Sequence, residues 1–386
     1  MSATLANTSA LQRRLVASSA AMIWARRRKR VLGVLLIIIA VGVFLNSSSF
    51  TPVMKKSWMQ NLIRRVNNIT IPKSSPKSMV IILTYMRSGS SLTGDIIQQS
   101  PDVFYVYEPL HSVNKLRSSS MLALYLSKKT EIRPSLSDTI EHFLSCDLEN
   151  VDLYTLNQFH LKNSRSTGTY LVCVRGANGI GEMLTCLTSL VKTCAAAKVT
   201  VLKTIRMPML EVSALLQKYP QLKVVHLVRD PRGTLLSQTR VGNFKWSMLH
   251  EVAPELCRKI SLDLRISQNI SDQFGSRIFT LRYEDLAENP VIVSRMLYDF
   301  VGLEFTDTIK DYIVNITQSG RRDGCAICTW RINSTATAYK WRRKLSYDRV
   351  AIIDNGCAGV YKQMGYLPIP KEKLLRNMSF PVKVRR

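Results

Sequence analysis

The sequence is poor in acid. Its 386 residues carry 27 Asp and Glu against 54 Lys and Arg, a formal net charge of +27, and the first 50 residues hold no acid at all. That imbalance points to an acidic partner: nucleic acid, anionic lipid, a nucleotide or an acidic polymer. Glycine and proline are also scarce, 17 and 14, which excludes collagen and other low-complexity polymers. Cysteine, at eight residues, is too sparse for a scaffold built from disulfides, yet sufficient for several bridges in an oxidising compartment. Only one C-x-x-C occurs, Cys325-Ala-Ile-Cys328. A zinc site would want a second pair and a redox site a thioredoxin-like context, so neither is supported and no metal is expected. No apolar run reaches the ~20 residues of an ordinary membrane span. What is present is 46% hydrophobic residues, too many for a disordered chain and ample for a sizeable core.

The longest apolar run is Val31 to Leu45, fifteen residues directly after Arg26-Arg27-Arg28-Lys29-Arg30. Extended through Phe50 it suits the thinner membranes of the early secretory pathway. A cluster of positive charge before the run places residues 1–30 in the cytosol, 31–50 in the membrane and the rest in the lumen, a type II signal-anchor. A cleaved signal peptide fits less well, because 30 residues precede the run and no small-x-small site follows it. The N-x-S/T sequons at Asn68, Asn269, Asn315, Asn333 and Asn377 agree with a lumenal body that carries N-glycans. In that setting the cysteines are expected to form structural disulfides.

Residues 51–78 are basic, with prolines and serines, and read as a stem. From Met79 the pattern becomes strands alternating with helices. Strands are expected at 79–85, Val103–Tyr107, 199–205, 222–228 and 277–283, with helices at 91–99, 207–218, 232–240, 258–274 and 290–301. This predicts an α/β fold, a central parallel sheet with helices on both faces, over residues 79–370. Residues 371–386 read as a basic, frayed tail.

Three segments carry chemistry. The first is Thr84-Tyr85-Met86-Arg87-Ser88-Gly89-Ser90-Ser91-Leu92-Thr93 between a strand and a helix. A tight glycine turn lets backbone N–H groups approach an anion, the helix start adds its positive dipole end, and Arg87 adds a fork of donors. Ser90, Ser91 and Thr93 can donate to phosphate-type oxygens. The segment lacks the lysine and spacing of a Walker A loop, which disfavours a kinase-like P-loop enzyme. The second is Arg229-Asp230-Pro231-Arg232-Gly233-Thr234-Leu235-Leu236-Ser237, opening a helix after a buried strand. Arg229 stands at a strand's C-terminal end, where open α/β sheets take ligands. The third is Tyr107-Glu108-Pro109-Leu110-His111, where Glu108 is a general-base candidate.

Taken in order, these segments resemble those of the Golgi carbohydrate sulfotransferases, in the branch acting on the 6-hydroxyl of galactose, N-acetylgalactosamine or N-acetylglucosamine. Leu202-Lys203-Thr204-Ile205-Arg206, Leu281-Arg282-Tyr283-Glu284-Asp285-Leu286, the Asn333 to Arg342 block, Cys357 and Met364-Gly365-Tyr366 extend the resemblance over about 79–368. It implies a P-loop-like sulfotransferase fold and 3′-phosphoadenosine 5′-phosphosulfate as donor. Residues 87–93 would hold the 5′-phosphosulfate and residues 229–237 the 3′-phosphate. Arg87 and Glu108 would be catalytic, with Lys203, Arg206 and Arg342 touching donor or acceptor. The acceptor would be a glycan or glycosaminoglycan, the location the Golgi membrane, and a homodimer is compatible with the family. The chain departs from the family where a tryptophan is usual before the histidine, which leaves His111 without an assigned role. A membrane-anchored lectin without activity is the competing reading; nucleic acid is disfavoured by the lumenal features. Of the +27, seven charges lie in the first 50 residues, six between Thr51 and Val80 and a net five in 371–386, leaving +9 on the body.

Overall fold

The five strands lie parallel in the order β2-β3-β1-β4-β5. The computed structural model describes residues 77–113, 135–320 and 328–385. The expected cytosolic tail, membrane span, Asn68 and all but the last two residues of the stem fall outside the described residues, and Ser78 opens the first strand. Among the described residues no helix is long and apolar enough to cross a membrane.

The strands are β1 (Ser78–Leu83), β2 (Val103–Tyr107), β3 (Val199–Thr204), β4 (Leu222–Val228) and β5 (Ile278–Arg282). Their short, nearly continuous apolar runs are what a sheet covered on both faces requires. β1 sits at the centre, with Ile81 opposite Leu202 of β3 and Val224 of β4. Its residues alternate between two cores. Met79, Ile81 and Leu83 join one cluster; Val80 and Ile82 join the other. After β1 the chain runs through α1 (Ser90–Ile97) to β2 on one side, and β4 lies on the other. The strand order therefore reverses at β1, and the crevice beyond the carboxyl ends of β1, β3 and β4 is where such a sheet takes ligands.

Further helices complete the layers: α2 (Leu136–Leu144), α3 (Arg165–Gly176), α4 (Ile180–Ala196), α5 (Met209–Lys218), α6 (Pro231–Arg240), α7 (Leu249–Asn269), α8 (Tyr283–Glu288), α9 (Pro290–Val301) and α10 (Asp307–Thr317). The helix expected at 258–274 begins nine residues earlier, at Leu249, and breaks at Asn269 before a single turn at Ser271–Phe274. Pro254 lies inside it and costs one backbone hydrogen bond. Burial offsets that loss: Leu249, Ala253, Cys257, Ile260 and Leu264 recur at helical spacing and fill a third core.

The end of the chain is a second correction. Residues 371–385 are docked, not frayed. Leu375 and Val382 are buried, and Tyr366 bridges Lys383 in antiparallel fashion. Three buried arginines hold this irregular segment by its carbonyls. Arg232 donates to Leu367 and Val382, Arg282 to Met364 and Val384, and Arg342 to Leu374, Leu375, Asn377 and Phe380. A chain without regular structure leaves its carbonyls orphaned, and the guanidinium fork satisfies several at once.

Disulfides join Cys146 to Cys194, Cys173 to Cys186 and Cys257 to Cys357, and Cys328 is also disulfide-bonded. The third ties α7 to the C-terminal helices across 100 residues. Constraining so long a loop in the unfolded chain stabilises by ~2–4 kcal/mol. Replacing Cys257 and Cys357 together with alanine should lower the melting temperature by several degrees. The same change at Cys173 and Cys186, which span 13 residues, should lower it less. Calorimetry of the two double variants checks the order.

Candidate active site

A cleft of about 530 Å³ opens at the carboxyl ends of the strands. It is lined by Arg87, Lys203, Arg206, Arg229, Arg240, Arg331 and Lys340, and by one carboxylate, that of Glu108.

The loop after β1 is shaped by backbone conformation. Arg87 has φ +70° and Gly89 φ +92°. Only glycine tolerates the second position, because a Cβ there would stand 2.1 Å from the Tyr283 ring. Gly89 also caps α1 without a side-chain hydrogen bond, so the first turn of the helix offers unused N–H groups beside the cleft. Ser90, Ser91 and Leu92 line it. Ser88 and Thr93 do not: the Ser88 hydroxyl is buried without a partner, and Thr93 bonds back to the Gly89 carbonyl.

The two anion-type segments meet directly. Arg87 Nε donates to Ser237 Oγ at 3.0 Å, and Arg229 Nη1 donates to the Arg87 carbonyl at 3.2 Å. Arg229 lies over the Tyr283 ring, and its Nε is buried with no hydrogen-bond partner. Gly233 leaves it room, since a Cβ there would be 3.1 Å from that Nε. Burial first, and then the neighbouring Arg229, lower the Arg87 pKa. Both effects oppose the charged form, and a bound anion would relieve them.

Helix α6 shows one face to the cleft: Gly233, Leu236, Ser237 and Arg240, at helical spacing. The rest of the second segment turns inward, contrary to a contact role for every residue of it. Asp230 caps the helix, accepting from Arg232 N at 2.9 Å. Pro231 opens the first turn, and Thr234 and Leu235 are buried on the far side. Arg232 is fully buried, paired with Asp230 at 2.8 Å and stacked on Trp341 at 4.1 Å. Burial works against its charge, but Asp230, Tyr361 and Asp354 together outweigh it and raise the pKa. Behind Asp230, burial and that carboxylate raise Glu284 to about 7. Arg342 is also absent from the cleft, because its guanidinium is used on the C-terminal carbonyls.

Glu108, with φ +54°, ends β2 beside Lys203 and Arg206. Lys203 pairs with its Oε1 and Arg206 with its Oε2. Glu108 is 2% exposed, with one cation held on each carboxylate oxygen. His111 sits behind Arg206, with Nδ1 2.8 Å from Nη2, and meets His160 edge-on at 4.1 Å.

His160 itself lines the cleft, as do Tyr107, Tyr283, Arg331, Lys340 and Trp341, none of which was expected as a site residue from the sequence. Tyr283, Lys340 and Trp341 lie in or next to family-like segments, a usable signal. Nothing around His160 marks it. Asn269, Asn315, Asn333 and Asn377 are all exposed. Among the described residues no group of three or more His, Cys, Asp or Glu could hold a metal.

Fold and site together define an α/β protein with a cation-rich cleft between two strand–loop–helix junctions. The Sulfotransferase family profile matches residues 79–307, and the chain belongs to that family. It is 29% identical to mouse carbohydrate sulfotransferase 1, covering 81% of this chain and 85% of that protein. It is 28% identical to human carbohydrate sulfotransferase 6, covering 80% and 85%. A sulfotransferase domain from the Synechococcus PCC 7002 olefin synthase superposes with a TM-score of 0.40 at 17% identity, over 74% of this chain and 97% of that domain.

Proposed function

We propose that the protein transfers a sulfuryl group from 3′-phosphoadenosine 5′-phosphosulfate to a hydroxyl of a glycan or glycosaminoglycan, at the 6-position of galactose, N-acetylglucosamine or N-acetylgalactosamine. The observation that carries this reading is the joining of Arg87 and Arg229, from segments 142 residues apart, in one cleft. The donor carries two anionic ends, and the cleft provides two cationic anchors. The buried, unpartnered Arg229 Nε fits such a group, as does the uncapped start of α1.

When bound, the donor supplies an activated sulfuryl group that leaves its 5′-phosphate. Arg87 and the N–H groups of the first turn of α1 balance the charge that develops there, as in phosphoryl transfer. Ser90 and Ser91 orient that end. Arg229 and Ser237 grip the 3′-phosphate and so discriminate against nucleotides lacking it. Glu108 takes the acceptor proton after exchanging one of its two cations for the hydroxyl, and the freed Lys203 or Arg206 turns to the sulfuryl oxygens. The body stands in the Golgi lumen behind the N-terminal anchor, with N-glycans on the exposed sequons.

The test is nucleotide binding. Adenosine 3′,5′-bisphosphate should bind the wild type, and Arg229→Ala should weaken it by about 30- to 300-fold, the loss of a charge-assisted pair in a dry site. Adenosine 5′-monophosphate should bind both proteins alike. A lectin without activity would bind neither nucleotide. Equal binding of the bisphosphate to both proteins would remove Arg229 from the 3′-phosphate site.

A further inference from the structure

Beside the cleft lies a second, more open depression of about 1210 Å³. The two share Leu236, Arg240 and Lys340, so they form one continuous surface. The outer part is built from the loop after α6 and from the segment around residues 344–349. Arg240, Lys245, Lys340, Lys344 and Arg349 line it, and no carboxylate does. None of these five is in an ion pair among the described residues. Five uncompensated cations in one concavity repel one another, and a bound anionic chain would relieve that repulsion.

The floor is aromatic. Phe244 is buried and meets Trp246 edge-on at 6.0 Å, and Arg349 lies over the Trp246 ring at 4.4 Å. Half-buried Trp246 lines the groove beside this charge. Flat apolar surface flanked by cations suits a sugar ring bearing an acidic substituent.

We infer that this groove is an acceptor subsite for an anionic carbohydrate chain. Sulfate esters or carboxylates on sugars beyond the reacting one meet Lys245, Lys344 and Arg349, while Trp246 supports a ring. The inference rests on the proposed transfer to carbohydrate, because continuity with the cleft is what makes the occupant an acceptor. It gives the enzyme a preference for chains that already carry acid.

The experiment uses the full-length protein, saturating donor and three oligosaccharides of one length: neutral, sulfated and uronate-bearing. Lys245→Glu with Lys344→Glu reverses two exposed charges outside the catalytic cleft. The double variant should raise KM for the charged oligosaccharides by tenfold or more with kcat unchanged, and leave the neutral one within about twofold. Raising salt from about 50 to 200 mM should raise the wild-type KM for the charged ones alone. The sulfated and uronate arms tell which anion is favoured. Equal shifts for neutral and charged oligosaccharides, or none, would overturn the subsite. If no oligosaccharide is sulfated, the transfer reading fails. Calorimetric binding of the sulfated oligosaccharide to wild type still decides the groove, and binding no tighter than that of the neutral one overturns it. A single-stranded oligonucleotide of matched charge that binds equally well overturns the carbohydrate assignment. Should the double variant not fold, the salt dependence and the neutral-to-charged ratio of the wild type decide the matter.

Discussion

Replacing Arg87 with glycine should cut sulfuryl transfer by about 10³-fold or more while leaving the fold at least as stable as the wild type. Among the described residues Arg87 is one of three non-glycine residues with positive φ, at +70°, and Glu108 is another, at +54°. Both stand in the cleft. A side chain in the left-handed region costs ~1 kcal/mol, and such residues persist where the surroundings hold them for a purpose. Glycine accepts that backbone freely, so Arg87→Gly removes the guanidinium and the strain together. Alanine removes only the guanidinium. Arg87→Ala should therefore lose the same activity but melt lower than Arg87→Gly. Turnover and urea unfolding of both variants check this. Near-normal turnover in either would exclude Arg87 from charge stabilisation. If glycine melts no higher than alanine, the loop is not strained at this residue.

The strand ends were legible because burial on both faces writes itself as uninterrupted apolar runs. Val103–Tyr107 and Leu222–Val228 stand in the structure with the boundaries that their sequence predicts. The convergence of Arg87 and Arg229 was legible too, since a parallel sheet brings the loops after its strands to one edge. Three things were not. The helix expected at 258–274 begins at Leu249, with Pro254 inside it, because packing of its buried face outweighs the bond that proline loses. His160 comes from a stretch whose helical pieces carry no periodic signature, and only tertiary contact brings it to the cleft. Arginine is the most misleading letter of all. Arg229 and Arg232 read as contacts to the 3′-phosphate and Arg342 as a contact to donor or acceptor, yet of the three only Arg229 faces the cleft. The difference lies in what each meets: Arg232 meets Asp230 in a pocket closed off from solvent, and Arg342 meets carbonyls of a segment more than 30 residues away. Sequence spacing shows neither.

Arg342→Ala should destabilise the protein by about 3–5 kcal/mol without changing KM for donor or acceptor at temperatures well below melting. The residue is 2% exposed and, among the described residues, makes no ion pair. Burial, and then Arg232, lower its pKa, and its hydrogen bonds go to carbonyl oxygens: Leu374 at 3.0 Å, Leu375 at 3.1 Å, Phe380 at 2.9 Å, and Asn377. Alanine would leave the buried Leu375 carbonyl and the three part-buried ones without this donor and leave a void beneath them. Lysine should rescue little, because a point charge with three donors cannot span four carbonyls as the planar fork does. Arg343, the exposed neighbour, supplies the control, and Arg343→Ala should leave stability within about 0.5 kcal/mol. Thermal melting, with limited proteolysis to locate the first cut in residues 371–385, measures the effect. A raised KM with unchanged melting would return Arg342 to the substrate-contact role that its sequence context suggests. A lowered melting temperature with unchanged KM assigns it to the C-terminal clamp, and with it the stiffness of Trp341, the adjacent residue on the cleft wall.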